Sequence, residues 1–243
     1  MTILASLFLA AAMTSQEAII TLLNSPSSTS AARYAEAVSI VTRDADAGKP
    51  LQQYVLGVTT KDKALAKKCL EASREKIRHL AESRENALAW YLLSLETNDL
   101  KLLGKAAAGG NVQALNAYGT ILIQGAFDRN VASNVLEGAL SKGYECFKKA
   151  AALRDPNGFI NLGTCYMRGF GCGINLKLAH ECFKSAAEAG HPEGMDYLSA
   201  NYELGHGVRK NAAKSLFWRM KAKAMRGDPA AVEWLKTGKG GAK

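Results

Sequence analysis

Pro156, Pro192 and Pro229 follow one another at intervals of 36 and 37 residues, and the stretch after Pro156 matches the stretch after Pro192 position by position. Leu162 meets Leu198, Tyr166 meets Tyr202, Gly169 meets Gly205, Gly171 meets Gly207 and Asn175 meets Asn211. Upstream, Ala150-Ala151 meets Ala186-Ala187, and Glu-Cys-Phe-Lys occurs at 145–148 and again at 181–184. A period of this length is the mark of a repeat architecture. One such unit cannot bury its apolar face alone, so neighbours must stack to complete each other's core.

The residue types say what each unit is. Proline at the first helical position loses no intrahelical bond, and Asp155 and Asp228 just before their prolines are N-caps. Leu162 and Tyr166, like Leu198 and Tyr202, are four residues apart and share one helix face. Gly169, Gly171, Gly205 and Gly207 allow the backbone to leave that helix and turn back. Ala179, Phe183 and Ala187 then form the packing face of a second helix, while Gly119, Gly158, Gly163 and Gly194 let helices approach closely. The unit is helix, Gly-rich turn, helix.

The same frame extends backwards with altered spacing. Val112 takes the proline's place 44 residues before Pro156, Asn86 lies 26 residues before Val112, and Pro50 lies 36 before Asn86. The long interval puts eight extra residues near Asp128–Gly143, which predicts a lengthened second helix or a protruding loop. The short one lacks a Gly-rich turn, so Leu100–Ala108 must serve as its second helix. Lys61–Arg84 is expected to be an extended charged helix, and Ala31–Thr42 another with Tyr34, Val38 and Val41 inward. This divides the chain into an N-terminal helical segment, 1–42, and an array over 43–243 of about five units ending in a basic capping helix and tail. Within the first segment Ala18–Leu23 continues helical and Asn24–Ser30 breaks it.

Ile3–Met13 has two readings. Its length and the small residues Ala10, Ala11 and Ala12 suit a signal peptide removed within the first 15 residues. No Lys or Arg precedes it, however, and Ile3, Leu4, Leu7, Phe8 and Ala11 also share one face of an amphipathic helix. The first reading implies export and the second a cytoplasmic protein, which is slightly favoured. No run is apolar for the roughly 18–20 residues a membrane span needs.

Around Leu162-Gly163, Tyr166, Gly169, Gly171, Ala179, Phe183 and Ala186-Ala187 the chain resembles the Sel-one-like repeat family, a branch of the tetratricopeptide-like helical repeats. Leu198, Tyr202, Gly205, Gly207, Val208, Trp218 and Lys221 repeat the pattern, and Leu56-Gly57 is a fainter instance. The resemblance covers about Thr42–Leu235 and is densest over 148–235. Ser199 stands where the family has glycine, and Tyr118-Gly119 replaces leucine-glycine. The resemblance implies an all-α fold, a right-handed α-solenoid of stacked helix-turn-helix repeats. It also implies that first helices line a concave surface and that the protein acts as an adaptor or scaffold. Some secreted members staple their units with cysteine pairs, and this chain has no repeated pair.

Chemistry finds little support. Gly169-Phe170-Gly171-Cys172-Gly173 follows a helix, whereas phosphate-cradling loops follow a strand and open a helix. His180, Glu181 and Cys182 are adjacent and point to different helix faces, so no metal site is expected. Five cysteines without a CxxC spacing read as packing thiols, and Cys146 and Cys182 occupy the same repeat position. No catalytic residue and no cofactor is assigned.

Binding follows a different logic, because equivalent positions of stacked first helices form a ladder. The ladder expected on the concave face is Tyr91, Gln113, Asn157, Asn161, Cys165, Glu193, Tyr197 and Asn201, with aromatic anchors and amides suited to a partner protein or an extended peptide. A second reading starts from charge. The net charge is +9, and the stretch from Gly205 holds ten basic residues against Asp228 and Glu233. Arg209, Lys210, Lys214, Arg219, Lys221, Lys223 and Arg226 form a basic patch able to attract RNA or an anionic surface, with Phe217, Trp218 and Trp234 available to stack on bases. A third reading is a structural subunit of a larger complex.

Overall fold

The computed structural model describes residues 18, 22, 31–84, 86–127 and 132–237. Among these the fold is all-α, without a strand: α1 (Ala31–Asp46), α2 (Pro50–Thr59), α3 (Lys63–Arg84), α4 (Ala87–Thr97), α5 (Leu100–Ala108), α6 (Val112–Ala126), α7 (Ser133–Ala152), α8 (Pro156–Arg168), α9 (Leu176–Glu188), α10 (Pro192–Leu204), α11 (Ala212–Met225) and α12 (Pro229–Lys236). The readings made on Ile3–Met13 and Asn24–Ser30 lie outside the described residues. The four expected helix-opening prolines each sit in the first turn. Asp155 accepts from the Gly158 amide, and Asp228 from the Ala230 and Ala231 amides.

Two compact units divide the chain between Leu102 and Leu103, not at residue 42. In the first, α1 packs on α2, α2 on α3, and α3 on α4. Ala37, Val41, Tyr54, Val55, Ile77, Ala81, Leu92 and Leu93 form one core with Ala18 and Leu22. The first helix is therefore part of this unit's core. Val41 is buried as expected, but Val38 faces outward. Tyr54 is fully buried and donates its hydroxyl hydrogen to Glu96, whose second oxygen accepts from Arg74. Burial and the Glu96 carboxylate both push the Tyr54 hydroxyl's pKa upward.

The second unit holds the regular repeats. α6 packs on α7, α8 on α9, and α10 on α11, and each pair packs on the next. α7 has 20 residues against 13 in α9, so the long interval contains a lengthened second helix. The packing is built from a few recurring contacts. The Phe147 ring lies over Gly119 and the Phe183 ring over Gly163, where an added Cβ would come within 2.7 Å of the ring in either case. Gly158 rests on the backbone of Ala150-Ala151, and Gly194 rests on Ala186-Ala187 in the same way.

The turns are equally alike. Gly169 ends α8 at φ 76° and Gly205 ends α10 at φ 80°. The amides of Phe170 and His206 return to the carbonyls of Cys165 and Asn201, and those of Asn175 and Asn211 to Tyr166 and Tyr202. Gly171 and Gly207 both have φ +69°, and they press on the preceding repeat's second helix. A Cβ there would stand 2.3 Å from the Leu140 carbonyl oxygen or 2.0 Å from that of Leu176. These glycines answer two demands, a left-handed backbone and contact between neighbouring repeats.

Candidate functional site

Within the second unit the first helices lie side by side: α6 touches α8, and α8 touches α10. A polar chain links two of them. Asn116 of α6 donates through Nδ2 to Asp155 Oδ2 at 2.8 Å, the same oxygen that caps α8. Asn161 of α8 donates through its own Nδ2 to Asn116 Oδ1 at 3.2 Å. The cap of one repeat is thus fastened to the first helix of the repeat before it. Sequence reasoning took Asp155 as a cap alone and missed Asn116. The available signal was a lone amide inside the apolar run from Ala114 to Gly119.

The structure sorts the expected ladder into three groups. Asn157 and Glu193 are exposed at the start of α8 and α10. Gln113, Asn161 and Tyr197 are half-buried, with Asn161 held by Asn116 and Tyr197 stacked on Phe183 at 4.4 Å between ring centroids. Tyr91, Cys165 and Asn201 are buried, at 7%, 1% and 3% exposure, and present nothing to a partner.

The reasons for burial differ. α4 begins at Ala87, with Asn86 as its cap instead of its first helical residue. One residue of slip turns a helical side chain by about 100°, and it carries Tyr91 inward. Cys165 packs in a core with Phe147 and Leu162, where burial pushes its thiol up to about 12. Asn201 carries the carbonyl that closes the α10 turn, yet its Nδ2 is buried without a partner among the described residues.

Most of the basic patch is engaged. Arg219 pairs with Glu203 at 2.5 Å, and Arg226 pairs with Asp196. Lys214 Nζ lies 5.3 Å from the Tyr202 ring centroid and Lys221 Nζ 4.9 Å from that of Trp218. Arg209, Lys210 and Lys223 are exposed. Phe217 and Trp218 meet edge to face at 5.4 Å.

The histidines and thiols are set in packing environments. His180 is 4% exposed and meets the Tyr202 ring edge-on at 5.2 Å. Burial lowers the pKa of both His180 and His191, and the buried Nδ1 of each lacks a partner among the described residues. Burial raises Cys182 to about 11, which keeps it a thiol at neutral pH. Among the described residues no group of three or more His, Cys, Asp and Glu is placed to hold a metal ion, and no helix is long and apolar enough to cross a membrane.

The Sel1 repeat family model matches residues 138–155, 160–191 and 192–218, which span α7 to α11 and their turns. Residues 138–218 carry Sel1 repeats. Sel1 repeats generally serve as protein-interaction scaffolds. Among solved structures, the fold is shared with a protective antigen present in uropathogenic Escherichia coli strains that displays an SLR fold. That match has a TM-score of 0.57 and 19% identity, and it covers 84% of this chain and 47% of the other. The present chain therefore spans about half the antigen's length. A Sel1 repeat protein from Oxalobacter formigenes is 26% identical, with 52% of this chain and 90% of that one covered at a TM-score of 0.45. No curated protein matches the chain.

Proposed function

We propose that this protein is a non-catalytic scaffold that captures an extended segment of a partner protein on the face formed by the first helices of its Sel1 repeats. The observation that carries the reading is the side-by-side packing of α6, α8 and α10, which repeats the same helix positions at regular steps across one strip. Asn157 and Glu193 are the exposed positions of that strip, and Gln113, Asn161 and Tyr197 supply its half-buried bed. Amides that reach solvent can pair with a peptide backbone, and a fixed aromatic ring adds contact area at little entropic cost. The basic-patch alternative is weaker. Two of its seven residues are spent on carboxylates and two on aromatic rings.

The residues to test are those that do not hold the fold. Tyr197 and Asn161 are both structural, so their removal would confuse stability with binding. A photocrosslinking side chain placed at Asn157 or Glu193 should trap the same partner in native host cells. One at Glu181, an exposed position on the second helix α9, should not. Equal trapping from all three positions, or none from the first two, rejects this face as the site.

A further inference from the structure

A groove of about 260 Å³ lies on the side built by second helices, between α5 and α7. Leu115 and Tyr118 of α6 form its floor, and Gly104 and Ala107 of α5 form one wall. Two departures from the repeat create it. Counted from the start of the following first helix, Gly104 occupies the place of Lys148 in α7 and Lys184 in α9. Tyr118 occupies the place of the buried Leu162 and Leu198. A Cβ on Gly104 would already touch the Tyr118 ring at 3.4 Å, so a long side chain there would lie across the floor. With no side chain at Gly104, nothing from that position covers the Tyr118 ring, which lines the groove.

The rim is basic. Lys142 and Lys149 of α7 line the groove and are exposed, and neither has an ion pair among the described residues. Glu145, the only acidic residue among the described ones that line it, is paired with Lys148 at 3.4 Å. The two free lysines are seven residues apart, about 10 Å along a helix. Carboxylates four residues apart in an extended chain share one face and stand about 13 Å apart, within reach of the two long lysine side chains. The volume falls below the roughly 300–1,000 Å³ of small-molecule sites and suits one bulky side chain.

We propose that this groove docks an acidic segment of a partner protein, taking one bulky apolar side chain onto Tyr118 and Leu115 while flanking carboxylates meet Lys142 and Lys149. It is a second site, lined by α5 and α7 and sharing only α6 with the first-helix strip, and does not depend on that reading.

The test is fluorescence anisotropy with a labelled peptide, Gly-Ser-Asp-Gly-Phe-Gly-Glu-Ser-Gly, in which Asp, Phe and Glu share one face when extended. One control replaces its acids with Asn and Gln, and another replaces Phe with Gly. The acidic Phe peptide should bind the full chain, with each control weaker by about tenfold or more. Added salt should weaken it. Gly104→Gln places a long neutral side chain where other repeats carry lysine; it should keep the helical content and weaken the peptide by about tenfold. Tyr118→Leu, which installs the residue of the other repeats, should weaken it too and decides the matter if the first variant fails to fold. Asn157→Ala with Glu193→Ala should bind as the parent does, which separates this site from the first-helix face. The proposal is overturned if the parent does not bind, if both controls bind equally well, or if the groove-filling variant binds like the parent. Displacement of the peptide by an equimolar uridine oligonucleotide would also overturn it, making the rim a phosphate-binding surface.

Discussion

Gly207 shows how much one residue does in this array. Its φ of +69° is unfavourable for any side chain, and the Leu176 carbonyl oxygen occupies the space a Cβ needs. Gly227 has φ +87° but open space around it. Gly227→Ala should therefore cost about 1 kcal/mol from the backbone alone, and Gly207→Ala clearly more, because α9 must also move away. Chemical denaturation of the two variants checks the order; equal losses would mean the repeat contact is not rigid. His180 makes a second case. Its lowered pKa means that the unfolded chain takes up protons first as pH falls below about 6.5. Stability is fully present above that pH and is lost on acidification towards the folded-state pKa. Lys184 and Lys214 deepen the shift, and Glu181 opposes it. The denaturation midpoint should drop between about pH 7 and 5, with a smaller drop in His180→Phe; parallel profiles would show that His180 is not the group responsible.

At the scale of the element, the last repeat replaces one packing device with another. Phe147 over Gly119 and Phe183 over Gly163 set the spacing of the first two helix pairs. The equivalent residues in α10 and α11 are Ser199 and Arg219. Ser199 donates to the Ser215 carbonyl at 2.8 Å, and Arg219 turns outward to Glu203. A Cβ and an aromatic ring cannot share the site, and the last pair has neither the glycine nor the ring. Arg219→Phe alone should destabilise the protein, and adding Ser199→Gly should recover about 0.5–3 kcal/mol of the loss. A thermodynamic double-mutant cycle reads this directly, and a coupling near zero would reject the pairing. In the first unit, α2 and α4 are joined by Tyr54 and Glu96. Glu96→Ala leaves a buried hydroxyl without its acceptor and should cost about 1–3 kcal/mol by denaturant titration.

Across the molecule, the second unit is held by contacts between neighbours in sequence: α6 with α7, α7 with α8, and so on to α12. Such a structure loses stability locally, because each repeat leans on the next ones only. Gly207→Ala should accelerate amide hydrogen exchange in α10 and α11 while leaving α6 and α7 near their parental protection. Uniform acceleration over 103–237 would show instead that the unit unfolds as one body. The same local coupling explains the tolerance for departures. A second helix lengthened to 20 residues, or Tyr118 in a leucine's place, alters one interface without disturbing the others.

The helices, their prolines, caps and Gly-rich turns were legible in the sequence because each depends on residues within a few positions of itself. The resemblance to Sel1 repeats was carried by the motif residues around Leu162-Gly163, Tyr166, Gly169 and Gly171. What periodicity does not carry is rotation and depth. Asn86 as a cap instead of a first helical residue rotated Tyr91 into a core, and burial of Cys165 and Asn201 depends on neighbours supplied by other repeats. The bond from Asn116 to Asp155 crosses 39 positions, and the groove over Tyr118 needs α5, α6 and α7 assembled before it exists. The sequence determined which helices form and where they turn, since those are local hydrogen-bond and dihedral preferences. Only the tertiary structure decided which ladder residues remain at the surface, since exposure is set by whatever packs on a side chain from elsewhere.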